Sequence, residues 1–130
     1  MPLDEPYYIP PATARLIETA RERGGRVIAI GTTVVRALEH AARGDGTVRP
    51  GAGIATQRIG PSTSLRCVDA IVSGTHEPGT SHYELLGAFQ DREVLQRMEH
   101  ETEACGYRTH EFGDAVFIAN ALDNGGRKPT

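Results

Sequence analysis

The residues best suited to chemistry follow a short apolar run in the first third of the chain. Gly31, Thr32 and Thr33 come directly after the run 28–30. A strand that ends in glycine and hydroxyl residues and then opens a helix leaves backbone N–H groups facing a crevice, where they attract anions and carboxylates. The threonine hydroxyls could bind such a ligand, or one of them could simply cap the helix, which is the more frequent arrangement. The spacing is not that of a Walker loop or a GxGxxG fingerprint, so no phosphate motif is indicated.

Two charged residues follow on the same predicted helix. Arg36 and Glu39 are three residues apart and therefore share one helix face. In the simpler interpretation they form a solvated pair that contributes about 0.2–0.5 kcal/mol. In the alternative, the Arg36 guanidinium turns back toward the crevice and clamps a carboxylate or phosphate. The residue types alone favour the solvated pair.

A second polar segment, 72–81, joins a predicted strand to a predicted helix, which is where open α/β sheets bind ligands. It contains His76, whose side chain has a pKa suited to acid–base chemistry near neutral pH. A lone histidine in a loop is nevertheless more often an ordinary surface residue. His82 and Glu84 do not complete a metal-ligand spacing with it, and we predict no metal site.

Two aspartates accompany apolar strands. Asp69 interrupts the run 67–72, and Asp114 precedes the run 115–119. A carboxylate is costly to bury unless it is paired. Each aspartate therefore either lies on an exposed face or is held by a specific partner, and the sequence leaves both possibilities open.

Hydrophobic periodicity and turn residues predict the elements that must position these side chains. Helices are predicted at 11–23, 34–42, 81–89 and 92–104, and strands at 26–30, 54–59, 65–72 and 115–119. Helix, strand, tight turn and helix in succession indicate an α/β fold with a mixed, mostly parallel sheet flanked by helices. The run 26–30 is apolar and β-branched, which is typical of a buried strand.

The chain of 130 residues is predicted to form one domain. Residues 1–10 contain three prolines and are predicted to be an extended segment, 11–123 a single α/β domain, and 124–130 a disordered tail. Cys67 and Cys105 have no redox or zinc-binding spacing, so we interpret them as small buried residues.

The net charge of −3 bears on partners, because a domain that grips RNA mainly through phosphates is normally basic. Any RNA contact must therefore be a local patch or come from outside this chain. The densest basic stretch consists of Arg15, Arg21, Arg23 and Arg26, which also fit a solvated helix face. No apolar run approaches the roughly 20 residues of a membrane span, and the first residues do not resemble a secretory signal, so we predict a cytoplasmic protein.

Four blocks of the sequence resemble one known family, in the same order. The blocks are Val27–Glu39, Val68–Pro78, Thr80–Phe89 and Tyr107–Ile118. Together they extend over most of the chain, and the first and last are specific to the S-adenosylmethionine:tRNA ribosyltransferase-isomerases of queuosine biosynthesis. The chain is similar to the C-terminal portion of these enzymes.

The resemblance implies a reaction and a set of site residues. Members of the family transfer the ribosyl group of S-adenosylmethionine onto 7-aminomethyl-7-deazaguanine in tRNA and isomerise it to give epoxyqueuosine, releasing adenine and methionine. S-adenosylmethionine is the ribosyl-donating substrate, and no metal or separate cofactor is implied. The matched position for acid–base catalysis is His76. The matched positions for substrate binding are Gly31, Thr32, Thr33, Arg36, Thr75, Thr80, Ser81 and Asp114.

The resemblance also implies that polypeptide is missing. Family members are more than twice this length, so the chain is expected to be part of a larger, open α/β barrel-like domain and to be inactive alone. The expected partners are S-adenosylmethionine, the N-terminal part of the same enzyme and, in the full-length protein, tRNA, with no membrane. Gly74, Thr75 and Glu77 replace an asparagine and two apolar residues of the family, and 107–112 loses further apolar residues. These changes leave two alternatives: a divergent paralogue with a non-tRNA acceptor, or a non-catalytic α/β module that completes a larger protein.

Overall fold

The structure is a computed structural model, and it describes residues 4–74, 81–104 and 115–120. The described residues form strands and helices in an alternating order. The elements are β1 (Glu5–Ile9), α1 (Pro11–Glu22), β2 (Ile28–Ile30), α2 (Thr32–Ala41), β3 (Gly51–Ala55), β4 (Ala70–Gly74), α3 (Ser81–Leu86), α4 (Arg92–Ala104) and β5 (Ala115–Ala119). None of the helices in these ranges has both the length and the apolar character to cross a membrane.

The central sheet has the strand order β2-β4-β5. β2 runs parallel to β4, and β5 runs antiparallel to β4. A separate antiparallel ribbon pairs β1 with β3. The predicted mixed α/β fold is confirmed, but of the three strand pairings in the described ranges only one is parallel. In the chain, α3 and α4 follow β4 and precede β5. The chain re-enters the sheet beside the carboxyl end of β4, and β5 is therefore antiparallel to β4.

The ribbon corrects one sequence-based boundary. The predicted strand at 54–59 instead begins at Gly51, inside a segment whose glycines favoured a loop. Its pairing with β1 explains the shift: Tyr7 lies opposite Gly53, and a Cβ at Gly53 would collide with the Tyr7 phenol. The absence of a side chain at Gly53 is what admits the tyrosine ring, so tertiary contact overrides the low strand propensity of glycine.

The two faces of the β2-β4-β5 sheet differ in burial. The row formed by Ala29, Ile71 and Ile118 is buried and belongs to the hydrophobic core together with side chains of α2, α3 and α4. On the opposite face Ile30 and Phe117 are exposed. The prediction of a buried strand at 26–30 is therefore correct for one face only, because the apolar pattern does not say whether this chain supplies the covering layer.

Candidate functional site

The carboxyl ends of β2 and β4 lie side by side at one edge of the central sheet. Ile30 is the register partner of Val72, and the Gly31 N–H donates to the Val72 carbonyl at 2.9 Å. β5 begins at the same edge, where Ala115 lies opposite Gly74. Ligands of open α/β sheets bind at such an edge. The chain segments that carry the predicted site residues therefore leave or enter the sheet at neighbouring points of this edge.

Gly31 makes the turn from β2 into α2. It is the N-cap residue, with φ of 98° and ψ of 151°, a conformation that favours glycine. No side chain caps this helix end, so the prediction that a threonine caps the helix is wrong. Capping fails because the helix already begins at Thr32, which places both threonines inside its first turn.

The two threonines have different surroundings. Thr32 is buried, whereas Thr33 is exposed at the sheet edge. The Thr33 hydroxyl donates to Oε2 of Glu5 at 3.2 Å, across the gap between α2 and β1. Thr33 is thus the threonine whose side chain stands at the surface of the crevice. Glu5 is a residue of the edge that the sequence did not single out.

Arg36 is buried and bound by its own chain. Its Nη1 donates to Oε1 of Glu5 at 2.7 Å, and its Nη2 donates to the carbonyls of Ala55 and Gln57 at 3.1 and 3.2 Å. The interpretation of Arg36 and Glu39 as a solvated pair is wrong, because both side chains are buried. The guanidinium does clamp a carboxylate, but that carboxylate belongs to Glu5 and joins β1 to α2. A direct contact of Arg36 with substrate stays a prediction.

Glu39 accepts three backbone hydrogen bonds. The N–H of Arg66 donates to Oε1, and the N–H groups of Cys67 and Val68 donate to Oε2, each at 2.8 Å. Hydrogen bonds of this kind offset the cost of burying a carboxylate. Because the three donors belong to residues 66–68, the Glu39 carboxylate also fixes the segment that leads into β4. The signal was present in the sequence: Glu39 lies four residues after Val35, on the buried face of α2.

Asp69 is held by a specific partner. It is buried, its Oδ2 accepts the Val27 N–H at 2.7 Å, and its own N–H donates to the Val27 carbonyl at 2.8 Å. Of the two possibilities left open for this aspartate, the structure selects the paired one. The contact aligns the starts of β2 and β4, so Asp69 is a structural residue at the opposite end of the strands from the site.

Cys67 is a small buried residue, as predicted. Burial is the main cause that raises the pKa of its thiol to about 12, well above the ordinary value of 9.0. A thiol in this state is not nucleophilic. Cys105, for which the same prediction was made, lies outside the described residues.

The basic stretch on α1 is partly committed to structure. The Arg21 Nη1 donates to the Gly46 carbonyl at 2.6 Å, and Nη2 donates to the Arg66 carbonyl at 3.1 Å. The groove beside it is also lined by the acidic residues Glu18, Glu22 and Asp45. Arg15, Arg23 and Arg26 are exposed. An RNA contact there stays a prediction, weakened by the neighbouring carboxylates.

The remaining predicted site residues were not tested by the geometry. Thr75, His76, Thr80 and Asp114 lie outside the described residues. Ser81 begins α3, and its side chain is not among those described. Within ranges 4–74, 81–104 and 115–120 there is no group of three His, Cys, Asp or Glu side chains that could hold a metal ion.

Comparison with known proteins gives consistent matches. A family model described as queuosine biosynthesis protein matches residues 2–118. The S-adenosylmethionine:tRNA ribosyltransferase-isomerase of Geobacter sulfurreducens is 46% identical over 114 residues, which cover 88% of this chain and 33% of that protein. The enzyme of the same name from Natranaerobius thermophilus is 40% identical, covering 89% of this chain and 34% of its own length.

A solved structure matches as well. The crystal structure of the S-adenosylmethionine tRNA ribosyltransferase from Thermotoga maritima superposes with a TM-score of 0.76 at 32% identity. The match covers 86% of this chain and 39% of that one. The chain thus spans about a third of the length of the curated relatives it matches, in their C-terminal portion.

Proposed function

The chain belongs to the family of queuosine biosynthesis proteins, and on that premise we propose that it forms the C-terminal part of an S-adenosylmethionine:tRNA ribosyltransferase-isomerase. The complete enzyme transfers the ribosyl group of S-adenosylmethionine onto 7-aminomethyl-7-deazaguanine in tRNA and isomerises it to epoxyqueuosine. The observation that carries the proposal is the shared sheet edge, at which β2 of the first family block lies beside β4 of the second.

The described part of this edge suits the anionic end of the donor. The first turn of α2 directs its N–H groups and the positive end of its dipole outward, and the Thr33 hydroxyl stands exposed beside them. We assign the methionine carboxylate of S-adenosylmethionine to this position, with Gly31 and Thr32 forming the adjoining backbone. Thr75, Thr80, Ser81 and Asp114 are the further substrate-binding residues of the proposal.

Arg36 supports the edge from inside in this proposal. Its guanidinium positions the Glu5 carboxylate, which in turn accepts the Thr33 hydroxyl. The chemical step needs a base that takes a proton from the sulfonium-activated ribose, and His76 is the residue proposed for it. A carboxylate, hydroxyls, amides and one imidazole suffice for this assignment, so we propose neither a metal nor a separate cofactor.

The whole protein has further partners in this proposal. The polypeptide that corresponds to the other two thirds of the relatives' length completes the site, and tRNA is the acceptor. An acidic chain alone is poorly suited to RNA phosphates, so much of the tRNA contact is assigned to that other part. An enzyme acting on tRNA would work in the cytoplasm.

A chimaera tests the function directly. Residues 2–118 replace the matching third of the Geobacter sulfurreducens enzyme, and adenine release is measured with and without tRNA that carries 7-aminomethyl-7-deazaguanine. We expect adenine release that requires this tRNA, with epoxyqueuosine detected by nucleoside mass spectrometry. His76→Ala should lower the rate by about 100-fold or more, the scale of general acid–base catalysis. His100→Ala, at an exposed position on α4, is the matched control and should leave the rate unchanged.

The same experiment separates the alternatives. Adenine release that does not depend on tRNA would favour the paralogue with another acceptor, to which the changes at Gly74, Thr75 and Glu77 point. A folded chimaera without adenine release would favour the non-catalytic module.

A further inference from the structure

One face of the central sheet is apolar and open to solvent. Ile28, Ile30 and Phe117 are 51%, 74% and 59% exposed. They lie on the same face, because Ile30, Val72 and Phe117 are register partners across β2, β4 and β5, and Ile28 is two residues from Ile30. We call the two rows of residues that run across β2, β4 and β5 on this side of the sheet the open face.

The open face has no polar position. Its two rows consist of Ile28, Ala70 and Ala119, and of Ile30, Val72 and Phe117. The exposed side chains are those of β2 and Phe117, whereas Ala70 is buried and Val72 and Ala119 are half-buried. A sheet face that is exposed to solvent normally carries polar residues. A parallel strand pair such as β2 and β4 is normally covered on both sides. Three large apolar side chains exposed on one sheet face of a folded domain are typical of an interaction surface.

We propose that the open face is the docking surface for the part of the family's enzyme that this chain does not contain. The inference rests on the proposed function for the identity of that partner. The chain spans 33% of the Geobacter sulfurreducens enzyme, and its fold matches 39% of the solved Thermotoga maritima chain, so in that structure the matching fold is joined to a larger body of polypeptide. Since the open face carries no charge, the partner surface is apolar and packs without ion pairs.

The position of the open face connects docking with the site. Ile30 immediately precedes Gly31 at the carboxyl end of β2, and Phe117, the middle residue of β5, lies in the same row as Ile30. A partner that covers Ile30 therefore forms a wall beside the first turn of α2. Docking would exclude water from that side of the crevice, which is the physical reason for expecting no turnover by the chain alone.

Cysteine labelling tests the docking surface without relying on turnover. Ile30→Cys and Phe117→Cys are compared in the isolated 130-residue chain and in the chimaera, with Arg49→Cys, whose native side chain is 66% exposed, as the control. Cys105→Ser removes one background thiol. Cys67 stays silent because burial raises its pKa to about 12. A maleimide reagent then reports the accessibility of each engineered position.

We expect all three thiols to react readily in the isolated chain. In the chimaera the thiols at positions 30 and 117 should react at least about tenfold more slowly, because a covered thiol reacts only when local structure opens. The control at position 49 should react equally in both proteins. Equal labelling of positions 30 and 117 in both proteins would overturn the proposal. Protection in the isolated chain, together with a dimer in sedimentation, would assign the face to a second copy and would also overturn it.

A measurement without substitutions guards against variants that fail to fold. Hydroxyl-radical footprinting of the unmodified chain and chimaera should show oxidation of Phe117 and Ile30 in the chain and protection of both in the chimaera. Failure of the proposed function gives a different result. A protected face without adenine release would uphold docking and refute the enzyme assignment, whereas adenine release with an unprotected face would do the reverse.

Discussion

The two faces of the β2-β4-β5 sheet carry the same kind of side chain but have different surroundings. Ala29, Ile71 and Ile118 are enclosed by the core, while Ile30 and Phe117 on the other side stand in solvent. Strands that are apolar on both faces are built for two-sided burial. The pattern on both faces is typical of a sheet covered on two sides, and the described residues enclose the face of Ala29, Ile71 and Ile118.

Substitution of matched isoleucines should give the largest contrast between the faces. Ile71→Ala removes a side chain that is fully buried, and we expect a loss of about 2–5 kcal/mol in the free energy of unfolding. Ile30→Ala should change it by no more than about 0.5 kcal/mol in the isolated chain, as at other exposed positions. Urea denaturation of both variants measures the contrast. Equal losses would mean that the open face is already covered in the isolated chain.

The buried side also holds a charge, and Glu39 tests what makes that charge tolerable. Glu39→Gln replaces one acceptor oxygen with an amide group that cannot accept from the N–H groups of residues 66–68. We expect a loss of about 1–3 kcal/mol, the cost of leaving buried donors unsatisfied. Glu93→Gln, at an exposed position in the first turn of α4, is the matched control. A loss no larger than that of the control would show that the three hydrogen bonds do not stabilise the fold.

Alkaline pH probes Cys67, a buried group whose ionised form is disfavoured mainly by burial. The Cys67 thiol has a pKa raised by burial from 9.0 to about 12, so the folded state resists ionisation while the unfolded chain ionises at the ordinary pKa. The contribution of Cys67 to the free energy of unfolding is therefore constant below about pH 9 and declines as the pH rises from about 9 toward 12. Unfolding free energies at pH 8 and 10 should fall more in the wild-type chain than in Cys67→Ala. Equal declines would mean that the thiol is accessible to water.

A small effect on stability is also expected at Thr33 on the sheet edge. Thr33→Ala should change the unfolding free energy by no more than about 0.5 kcal/mol, because the side chain is exposed. In an amide chemical-shift titration with S-adenosylmethionine, we expect shifts at 31–36 and at 75–81. Loss of the Thr33 hydroxyl, which holds the Glu5 carboxylate at this edge, should weaken binding by about threefold to tenfold.

Thr19→Ala, at an exposed position on α1, is the control for that titration. Unchanged binding by the Thr33 variant would remove this hydroxyl from the proposed site. Shifts in the chimaera but none in the isolated chain would show that the open face must be covered before the donor binds.

Local pattern predicted the elements well where nothing distant interferes. α4 and β5 have the predicted bounds, because their signals are local: Asp91 accepts the Val94 N–H at the start of α4, and a short apolar run forms β5. β3 begins earlier in the chain than predicted, because Gly53 pairs with Tyr7 of β1, a contact between residues more than forty positions apart. On α1, Leu16 is exposed although it is apolar, and Ala14 is the residue that the helix buries.

The candidate site was only partly predictable. Gly31 and Thr33 were found from the turn that joins a strand to a helix, which is a local feature. Glu5 was missed because its contacts with Thr33 and Arg36 join parts of the chain about thirty residues apart. The i,i+3 spacing of Arg36 and Glu39 shows that they share a helix face but not whether that face is buried. For Glu39 the position of Val35, four residues earlier, was the signal that the pair spacing lacks.

The two charged residues of α2 place different demands on the evolution of this sequence. Glu39 recognises only main-chain N–H groups, so the side chains at 66–68 can vary while the glutamate is retained. Arg36 is neutralised by another side chain, so loss of Glu5 would strand a buried cation. Positions 5 and 36 should therefore covary among natural sequences, whereas position 39 should be constant without a covarying partner.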